Sequence, residues 1–551
     1  MKQDSYRIYD HPFNKDEAEA LKGKVYGENW PVVYLLNNNN EMYVGESSNV
    51  YVRAKQHLSN EERLALKEMH VIYDPQFNKS SALDLEALLI QLFIADEKYT
   101  LQNRNSGQDL KHDYFQRQDY HELFQQIWNE IHKKDLAIHS FQDIKNSDLF
   151  KFSPFHTLTT DQYETELDIL ETLKFDMEIN QNQSVHYFVT GDPGTGKTVL
   201  AIHLIRKIIE LTMESNRPIK IGFVIPVSSL KKTIERVFKK IMGMDHVKIV
   251  TPTQVSKEKW DLLIVDEAHR LKRRVALSQY GEFDRANERL KFDKEGTELD
   301  WILKQSKYQI FFYDPNQTVK SSDIPKERFD QLMKETGVHK FKLSSQMRSL
   351  GGEDYIQYIK EIFSDKPPEK EIDFSENYQF GIYNDLSGLI HRIKNLNDIW
   401  GLSRIGAGYA WKWKTKPLKL SYDELVKRGI YDIEIDDNKL IWNMKNADWI
   451  GSENSINEVG CIHTMQGYDL NFAGIIIGNE ITYNWQTSEI EIRKKNYYDR
   501  NGKVSLSSEE LKKRILNIYT VLLTRGIRGT FLYVCDPNLK EYLRRYIPVI
   551  D

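Results

Sequence analysis

The sequence predicts an α/β protein: a small α/β domain followed by two lobes, each built on a parallel sheet covered by helices. Three observations carry this. From about residue 151 onward, short apolar strand candidates alternate with helical stretches, because a parallel strand pair needs a long crossover that usually folds as a helix. The stretch from 186 to 551 is long enough for two such sheets. Upstream, Val32-Val-Tyr-Leu-Leu36 and Glu41-Met-Tyr-Val-Gly45 are separated by an Asn-rich turn ending at Asn40, which is a hairpin signal.

The elements follow in chain order. After the hairpin come two helical stretches, 49–59 and 82–93, with apolar residues at helical spacing. Residues 108–150 are polar and mostly helical in pattern, which suits a connector. Apolar runs at 186–190, 219–227, 247–251, 262–266, 309–313, 340–344, 473–478 and 530–535 are the later strand candidates. Residues 365–460 are irregular and tryptophan-rich, and read as the early part of the last lobe with insertions. The expected division is 1–107 for the small domain, 108–150 for the connector, 151–345 for the first lobe and 346–551 for the second. There is no internal repeat.

Composition bounds the answer further. A chain of 551 residues exceeds one ordinary core and suggests about three or four domain-sized units. Hydrophobic content of 40% and charged content of 28% describe a soluble globular protein. No apolar run approaches the roughly 20 residues that span a bilayer. Met1-Lys-Gln-Asp-Ser-Tyr6 lacks the apolar core of a signal peptide. With only Cys461 and Cys535, neither a disulfide framework nor a Cys-rich zinc site is available. These features point to the cytoplasm and away from a membrane. The net charge of −5 means that any nucleic-acid contact must come from local patches. Candidates are Arg270-Leu-Lys-Arg-Arg274, and Lys231, Lys232, Arg236, Lys239 and Lys240.

Gly191-Asp192-Pro193-Gly194-Thr195-Gly196-Lys197-Thr198 is a complete phosphate-binding loop. Its backbone N–H groups wrap phosphates, the Lys reaches the β- and γ-phosphates, and the Thr hydroxyl holds Mg²⁺. His186-Tyr-Phe-Val-Thr190 before it reads as a strand, and Val199 to Ile209 after it as the helix whose N-terminus faces the anion. Leu262-Leu-Ile-Val265 then runs into Asp266-Glu267-Ala268-His269. A buried strand ending in Asp-Glu puts Asp266 where it positions Mg²⁺ and Glu267 where it orients the attacking water.

Further signals form an ordered set: Leu158-Thr-Thr-Asp-Gln162, Tyr313-Asp314-Pro-Asn-Gln317, Leu343-Ser-Ser-Gln346-Met-Arg348, His463-Thr-Met-Gln466-Gly467 and Tyr519-Thr-Val-Leu-Leu-Thr-Arg525-Gly526. In this order the set resembles the motif series of superfamily 1 helicases, most closely the Schlafen-group DNA/RNA helicase domain. The resemblance covers 151–551, about three quarters of the chain. It implies two RecA-like parallel-sheet lobes with ATP in the cleft. By that resemblance Gln162 reads the adenine edge and Gln317 senses the γ-phosphate. Arg348 and Arg525 are arginine fingers from the second lobe, and Gln466 and Gly467 couple the nucleotide to a strand-binding groove. A guanidinium that arrives only on closure ties hydrolysis to lobe motion. The large accessory subdomains usual in superfamily 1 are missing, which leaves translocation, or ATP-gated binding without unwinding, open beside strand separation.

In the N-terminal domain, Val32-Val-Tyr34, Tyr43-Val-Gly45, Arg53, His57, Glu86 and Asn103 occur in order. Together they resemble the GIY-YIG nuclease family over 28–107, with Val32 in place of the first family Gly. Gly381-Ile-Tyr383 spells the family triplet literally, but no Tyr-x-Gly strand follows it at hairpin distance. Phosphodiester cleavage needs a base, a cation for the phosphorane and a metal on the leaving oxygen. Arg53 and His57 lie one turn apart and share a helix face. Glu86 sits in an apolar helix, where an isolated carboxylate is costly unless exposed, paired or metal-bound. By resemblance Tyr34 is the base, Arg53 steadies the scissile phosphate, Glu86 holds a divalent metal, and Tyr43 and His57 assist.

The expected protein is thus an ATP-driven motor carrying a metal-dependent endonuclease. It would use ATP with Mg²⁺, and Mg²⁺ or Mn²⁺ at the nuclease site. DNA, single-stranded or branched, is the expected partner, with RNA also open, and defence against foreign DNA is a fitting role. Two other readings stand beside it: an NTPase switch whose N-terminal module binds nucleic acid or protein without cutting, and an RNA-directed enzyme.

Overall fold

The computed structural model describes residues 6–103, 117–153, 158–179, 183–214, 219–240, 247–277, 279–315, 317–318, 320–345, 349–445, 449–465, 468–499 and 506–550. The chain divides into two compact units: Met1–Leu158 with Arg236–Asp245, and Thr159–Glu235 with His246–Asp551.

The first unit has a five-stranded sheet in the order β1-β4-β2-β3-β5. Its strands are β1 (Arg7–Pro12), β2 (Val32–Asn37), β3 (Glu41–Ser47), β4 (Glu68–Tyr73) and β5 (Thr100–Leu101). The Asn-rich turn closes the hairpin through its side chains. Asn38 Oδ1 accepts from the backbone N–H of Asn40 and of Glu41, each at 2.8 Å, which is how Asn specifies a turn. The register sets Tyr34 opposite Gly45.

The unit's helices are α1 (Lys15–Ala20), α2 (Val50–Leu58), α3 (Lys79–Asp96), α4 (Arg117–Lys133), α5 (Phe141–Asn146) and α6 (Asp148–Lys151). Asn49 caps α2 by accepting from Val52 N–H, and Asn78 and Ser81 form a reciprocal capping box on α3. Where the sequence suggested a connector, the chain is helical over α4–α6, and these helices pack back onto α3. Leu123, Phe124, Ile127, Trp128 and Ile131 recur at helical spacing and are buried, and Trp128 meets Phe93 of α3 edge-on at 5.0 Å. The Asp96 carboxylate at the end of α3 accepts from the backbone N–H groups of Ile138 and His139. The apolar face of α4 is what makes this segment part of the domain core.

The second unit contains one wholly parallel sheet and a second that is parallel apart from its edge pair Ile433–Ile435 and Asn438–Trp442, an arrangement that fits two RecA-like lobes. The first comprises β6 (Val185–Gly191), β7 (Ile221–Val224), β8 (Lys248–Val250), β9 (Trp260–Val265), β10 (Ser306–Tyr313) and β11 (Val338–Leu343). All its pairs are parallel, in the order β11-β6-β10-β9-β7-β8. The apolar runs of the central strands β6, β7, β9 and β10 are buried on both faces, as parallel strands under helices must be, while the edge strands β8 and β11 are partly exposed. β10 lies between β6 and β9, so the segments leaving all three emerge side by side at the C-terminal edge. α7 (Thr160–Ile179) precedes β6, and α8 (Lys197–Glu214) follows it.

The second sheet has eight strands in the order β14-β15-β16-β13-β17-β20-β12-β21. They are β12 (Gln379–Tyr383), β13 (Ser403–Ala407), β14 (Ile433–Ile435), β15 (Asn438–Trp442), β16 (Glu458–Cys461), β17 (Leu470–Ile477), β20 (Gly526–Val534) and β21 (Val549–Ile550), while β18 (Ile481–Asn484) pairs with β19 (Glu489–Ile492) in a separate hairpin. The stretch that read as irregular, 365–460, supplies β12 to β16. These strands are short and carry glycines where large side chains cross the sheet closely. A Cβ on Gly406 would lie 2.2 Å from Met465 Sδ, and one on Gly460 would lie 2.5 Å from the Trp449 ring. Gly381 is the same case: the literal Gly-Ile-Tyr triplet is part of β12, and its glycine admits Ile550, whose Cδ1 would lie 2.3 Å from an added Cβ. No helix among the described residues is long and apolar enough to cross a membrane.

Candidate functional site

The phosphate loop joins β6 to α8. Gly194 and Gly196 have φ of +91° and +73°, a region open to glycine at little cost. Lys197 Nζ donates to the carbonyls of Gly191 and Asp192 at 2.7 and 2.9 Å and lies 3.7 Å from Asp314 Oδ2. Thr198 Oγ1 donates to Asp266 Oδ2 at 2.8 Å. The loop, the end of β9 and the end of β10 thus converge because their strands are neighbours.

Asp266 is raised above the usual carboxylate range by burial and by the adjoining Glu267. Burial also works on Glu267, but His269, Lys197 and Arg525 outweigh it and hold that carboxyl low. His269 Nε2 lies 2.8 Å from Glu267 Oε2. Glu267 has φ +49° and ψ +44°, a left-handed backbone that a glutamate rarely adopts and that concentrates at functional sites. Thr198 Oγ1 and Asp266 Oδ2 are adjacent oxygen donors, a set that fits Mg²⁺, which takes few protein ligands and completes its shell with water and phosphate.

Gln162, Gln317 and Arg525 gather around this centre. Gln162, expected at the adenine edge, donates from Nε2 to the Thr195 carbonyl of the loop at 2.9 Å and accepts from Thr159 N–H at 3.1 Å. Its neighbour Asp161 accepts from the N–H groups of Ser344 and Ser345, at 2.8 and 2.9 Å, beyond β11. Gln317 donates to Asp314 Oδ2 at 2.7 Å and accepts from Arg525 at 3.3 Å. Arg525 is 1% exposed and leaves the helix Ser508–Leu523 of the second lobe, so the second lobe places a guanidinium against the first. A second such contact, Lys360 Nζ to Asp192 Oδ2 at 2.9 Å, comes from the helix Gly352–Ile362. Nothing in the local sequence marks Lys360. A cavity of about 280 Å³ lies beside the loop, lined by Asp192, Thr195, Leu343, Glu353, Ile356 and Lys360 among others. Gln346, Arg348, Gln466 and Gly467 lie outside the described residues.

A second cluster occupies the first unit. Tyr34 Oη lies 2.8 Å from His57 Nε2. The Tyr43 ring meets His57 edge-on at 4.9 Å and lies 6.2 Å from Tyr34. Burial and Tyr43 push the Tyr34 hydroxyl up, against the opposing pull of Arg53. Burial opposes the charge of Arg53, and the hydroxyls of Tyr34 and Tyr43 more than restore it. Burial, with Arg53 and Arg63, lowers His57 to about 4, so at neutral pH its imidazole is uncharged. Glu86 is pushed up to about 7 by burial and by Glu46. Glu46 pairs with Lys79, while its other oxygen is buried without a hydrogen-bond partner. Asn103 bonds both polar groups of Val44, tying the chain after β5 to β3. The structure therefore puts Tyr34, Tyr43, Arg53, His57 and Glu86 within electrostatic reach of one another, and adds Glu46, Lys79 and Arg63, whose guanidinium stacks 4.1 Å from the centre of the Tyr43 ring.

Gly45 is where the cluster is tightest, since an added Cβ would lie 2.4 Å from Tyr34 Oη and 2.9 Å from the Tyr43 ring. Gly45→Ala is expected to displace the tyrosines and destabilise the first unit by about 1–3 kcal/mol. Thermal unfolding checks this, and an unchanged transition would show that the ring can move aside freely.

The family model for the Schlafen group 3 DNA/RNA helicase domain matches residues 184–536, nearly two thirds of the chain. An uncharacterized protein of Saccharomyces cerevisiae, YPL245W, is 25% identical over 446 residues, covering 71% of this chain and 91% of that protein.

Proposed function

We propose, from the premise that this chain belongs to the Schlafen group 3 DNA/RNA helicase domain family, that it is an ATP-driven motor on nucleic acid carrying a GIY-YIG-type endonuclease. The observation that carries the motor half is the contact between lobes at the phosphate loop: Arg525 on Gln317, beside Glu267. In this reading Lys197 and the loop N–H groups bind the phosphates, and Gln162 braces the loop. Thr198 and Asp266 would hold Mg²⁺, Glu267 orients water, and Gln317 and Arg525 respond to the γ-phosphate. Held there, Mg²⁺ would supply charge neutralisation for the transferring phosphoryl group. Because Arg525 belongs to the second lobe, turnover follows lobe closure.

The nuclease half is supported by the cluster around Tyr34. A neutral His57 within hydrogen-bonding distance can orient the Tyr34 hydroxyl as that hydroxyl activates water. Arg53 would neutralise the scissile phosphate, and Glu86 would anchor a divalent ion whose Lewis acidity serves the leaving oxygen. DNA is the proposed substrate.

The test is ATP turnover measured against single-stranded DNA, duplex DNA and RNA. Stimulation by nucleic acid supports a motor, and none by any of the three would leave the NTPase-switch reading. Arg525→Ala is expected to keep nucleotide binding and cut turnover by about two orders of magnitude or more. Wild-type turnover in that variant would remove Arg525 from the mechanism.

A further inference from the structure

The second lobe touches the phosphate loop at a point away from Arg525. The helix Gly352–Ile362 buries Tyr355, Ile356, Tyr358, Ile359 and Ile362. Lys360 stands one turn beyond Ile356, and both line the cavity beside the loop. Lys360 Nζ lies 2.9 Å from Asp192 Oδ2. Asp192 is the second residue of the loop. Its backbone carbonyl accepts from Lys197 Nζ at 2.9 Å and from Thr195 Oγ1 at 3.0 Å. One residue therefore holds the second lobe by its carboxylate and the loop lysine by its carbonyl.

Lys360 rides on a frame that it shares with Arg525. Tyr355 Oη donates to the carbonyl of Leu523 at 2.8 Å, at the end of the helix that leads into Arg525. Tyr358 Oη donates to the Tyr546 carbonyl at 2.7 Å. Both hydroxyls are buried, so parting them from these carbonyls is costly. The two cations thus move as one body, and turning the second lobe away from the first breaks both contacts together. They differ in burial. Arg525 is enclosed, whereas the Lys360 and Asp192 side chains are 27% and 31% exposed. Their pair can open without stranding a charge away from water, as a reversible contact must.

We infer that Lys360 is a latch on nucleotide residence: its ion pair with Asp192 holds the second lobe over the phosphate loop and slows the escape of bound nucleotide, without entering the chemical step. This rests on the nucleotide site proposed above and is independent of its nucleic-acid half. Two effects act in the same direction. Parting Lys360 from Asp192 widens the cleft beside the loop, because the two side chains stand on opposite walls of that cavity. It also leaves the Asp192 carboxylate uncompensated on a loop built to hold anions, where it repels the phosphates. Arg525 acts otherwise, through Gln317 at the end of β10.

The test follows release of a fluorescent ADP analogue, N-methylanthraniloyl-ADP with Mg²⁺, from the full chain by stopped flow, with no nucleic acid present. Lys360→Met is expected to release it about two- to fivefold faster, the scale of a partly exposed ion pair. Lys360→Glu is expected to release it faster still, since like charges then face each other, and Lys360→Arg to stay near the wild type. Added salt is expected to speed release from the wild type and to change Lys360→Met little. In an Asp192→Asn background Lys360→Met is expected to lose most of its effect. Single-turnover ATP hydrolysis in Lys360→Met is expected to stay within about twofold of the wild type. Wild-type release in both Lys360→Met and Lys360→Glu, or an undiminished effect in the Asp192→Asn background, would overturn the latch. So would a fall in single-turnover hydrolysis of about two orders of magnitude, which would put Lys360 in the chemistry. Each of these leaves the motor reading in place, whereas a wild type that binds no nucleotide would overturn both.

Discussion

Lys197→Ala is expected to abolish ATP turnover and to weaken nucleotide binding with it, whereas Glu267→Gln is expected to abolish turnover with binding retained. The difference follows from what each side chain touches. Lys197 is buried in the loop, with its ammonium on the Gly191 and Asp192 carbonyls, so its loss removes the cation nearest the phosphate cradle in every state. Glu267 stands at the end of β9, held ionised by His269, Lys197 and Arg525 against the cost of burial. Gln has the same shape but cannot orient or deprotonate water. Each loss of turnover should be about two to three orders of magnitude or more. Phosphate release and equilibrium nucleotide binding, measured on both variants, separate the roles. Equal loss of affinity in the two would count against the assignment.

Glu86→Ala is expected to eliminate metal-dependent phosphodiester cleavage while nucleic-acid-stimulated ATP turnover stays largely intact. Glu86 lies on α3 in the first unit, and the phosphate loop belongs to the second. Without Glu86 a divalent ion would lose its anchor on α3, and the leaving oxygen would lose its charge stabilisation. Tyr34→Phe should show the same pattern, because it deletes one hydroxyl at constant ring packing and leaves His57 without its partner. The assay is nicking of plasmid and cutting of branched and single-stranded DNA in Mg²⁺ or Mn²⁺, with and without ATP. Undiminished cleavage by Glu86→Ala would sink the nuclease reading. A wild type that never cleaves would instead make the first unit a binding module.

What the sequence by itself determined about this protein is whatever a few consecutive residues can specify. The phosphate loop is legible because Gly194 and Gly196 must take a left-handed backbone between an adjacent strand and helix, all within one short segment. The hairpin is legible because Asn38 closes its own turn. The central strands of the first sheet are legible because burial on both faces demands nearly unbroken apolar runs. Such requirements are local, so one-dimensional periodicity carries them. Tertiary structure alone decided the rest. β13 and β16 were hidden because Gly406 and Gly460 interrupt their apolar runs, and those glycines make sense only once Met465 and Trp449 are seen crossing the sheet. Asp161 on Ser344, Lys360 on Asp192 and Glu46 beside Glu86 join residues from separate elements. A charge or ring declares its partner only after sheet order and helix crossings have set the distance between them, and no period in the sequence encodes that distance.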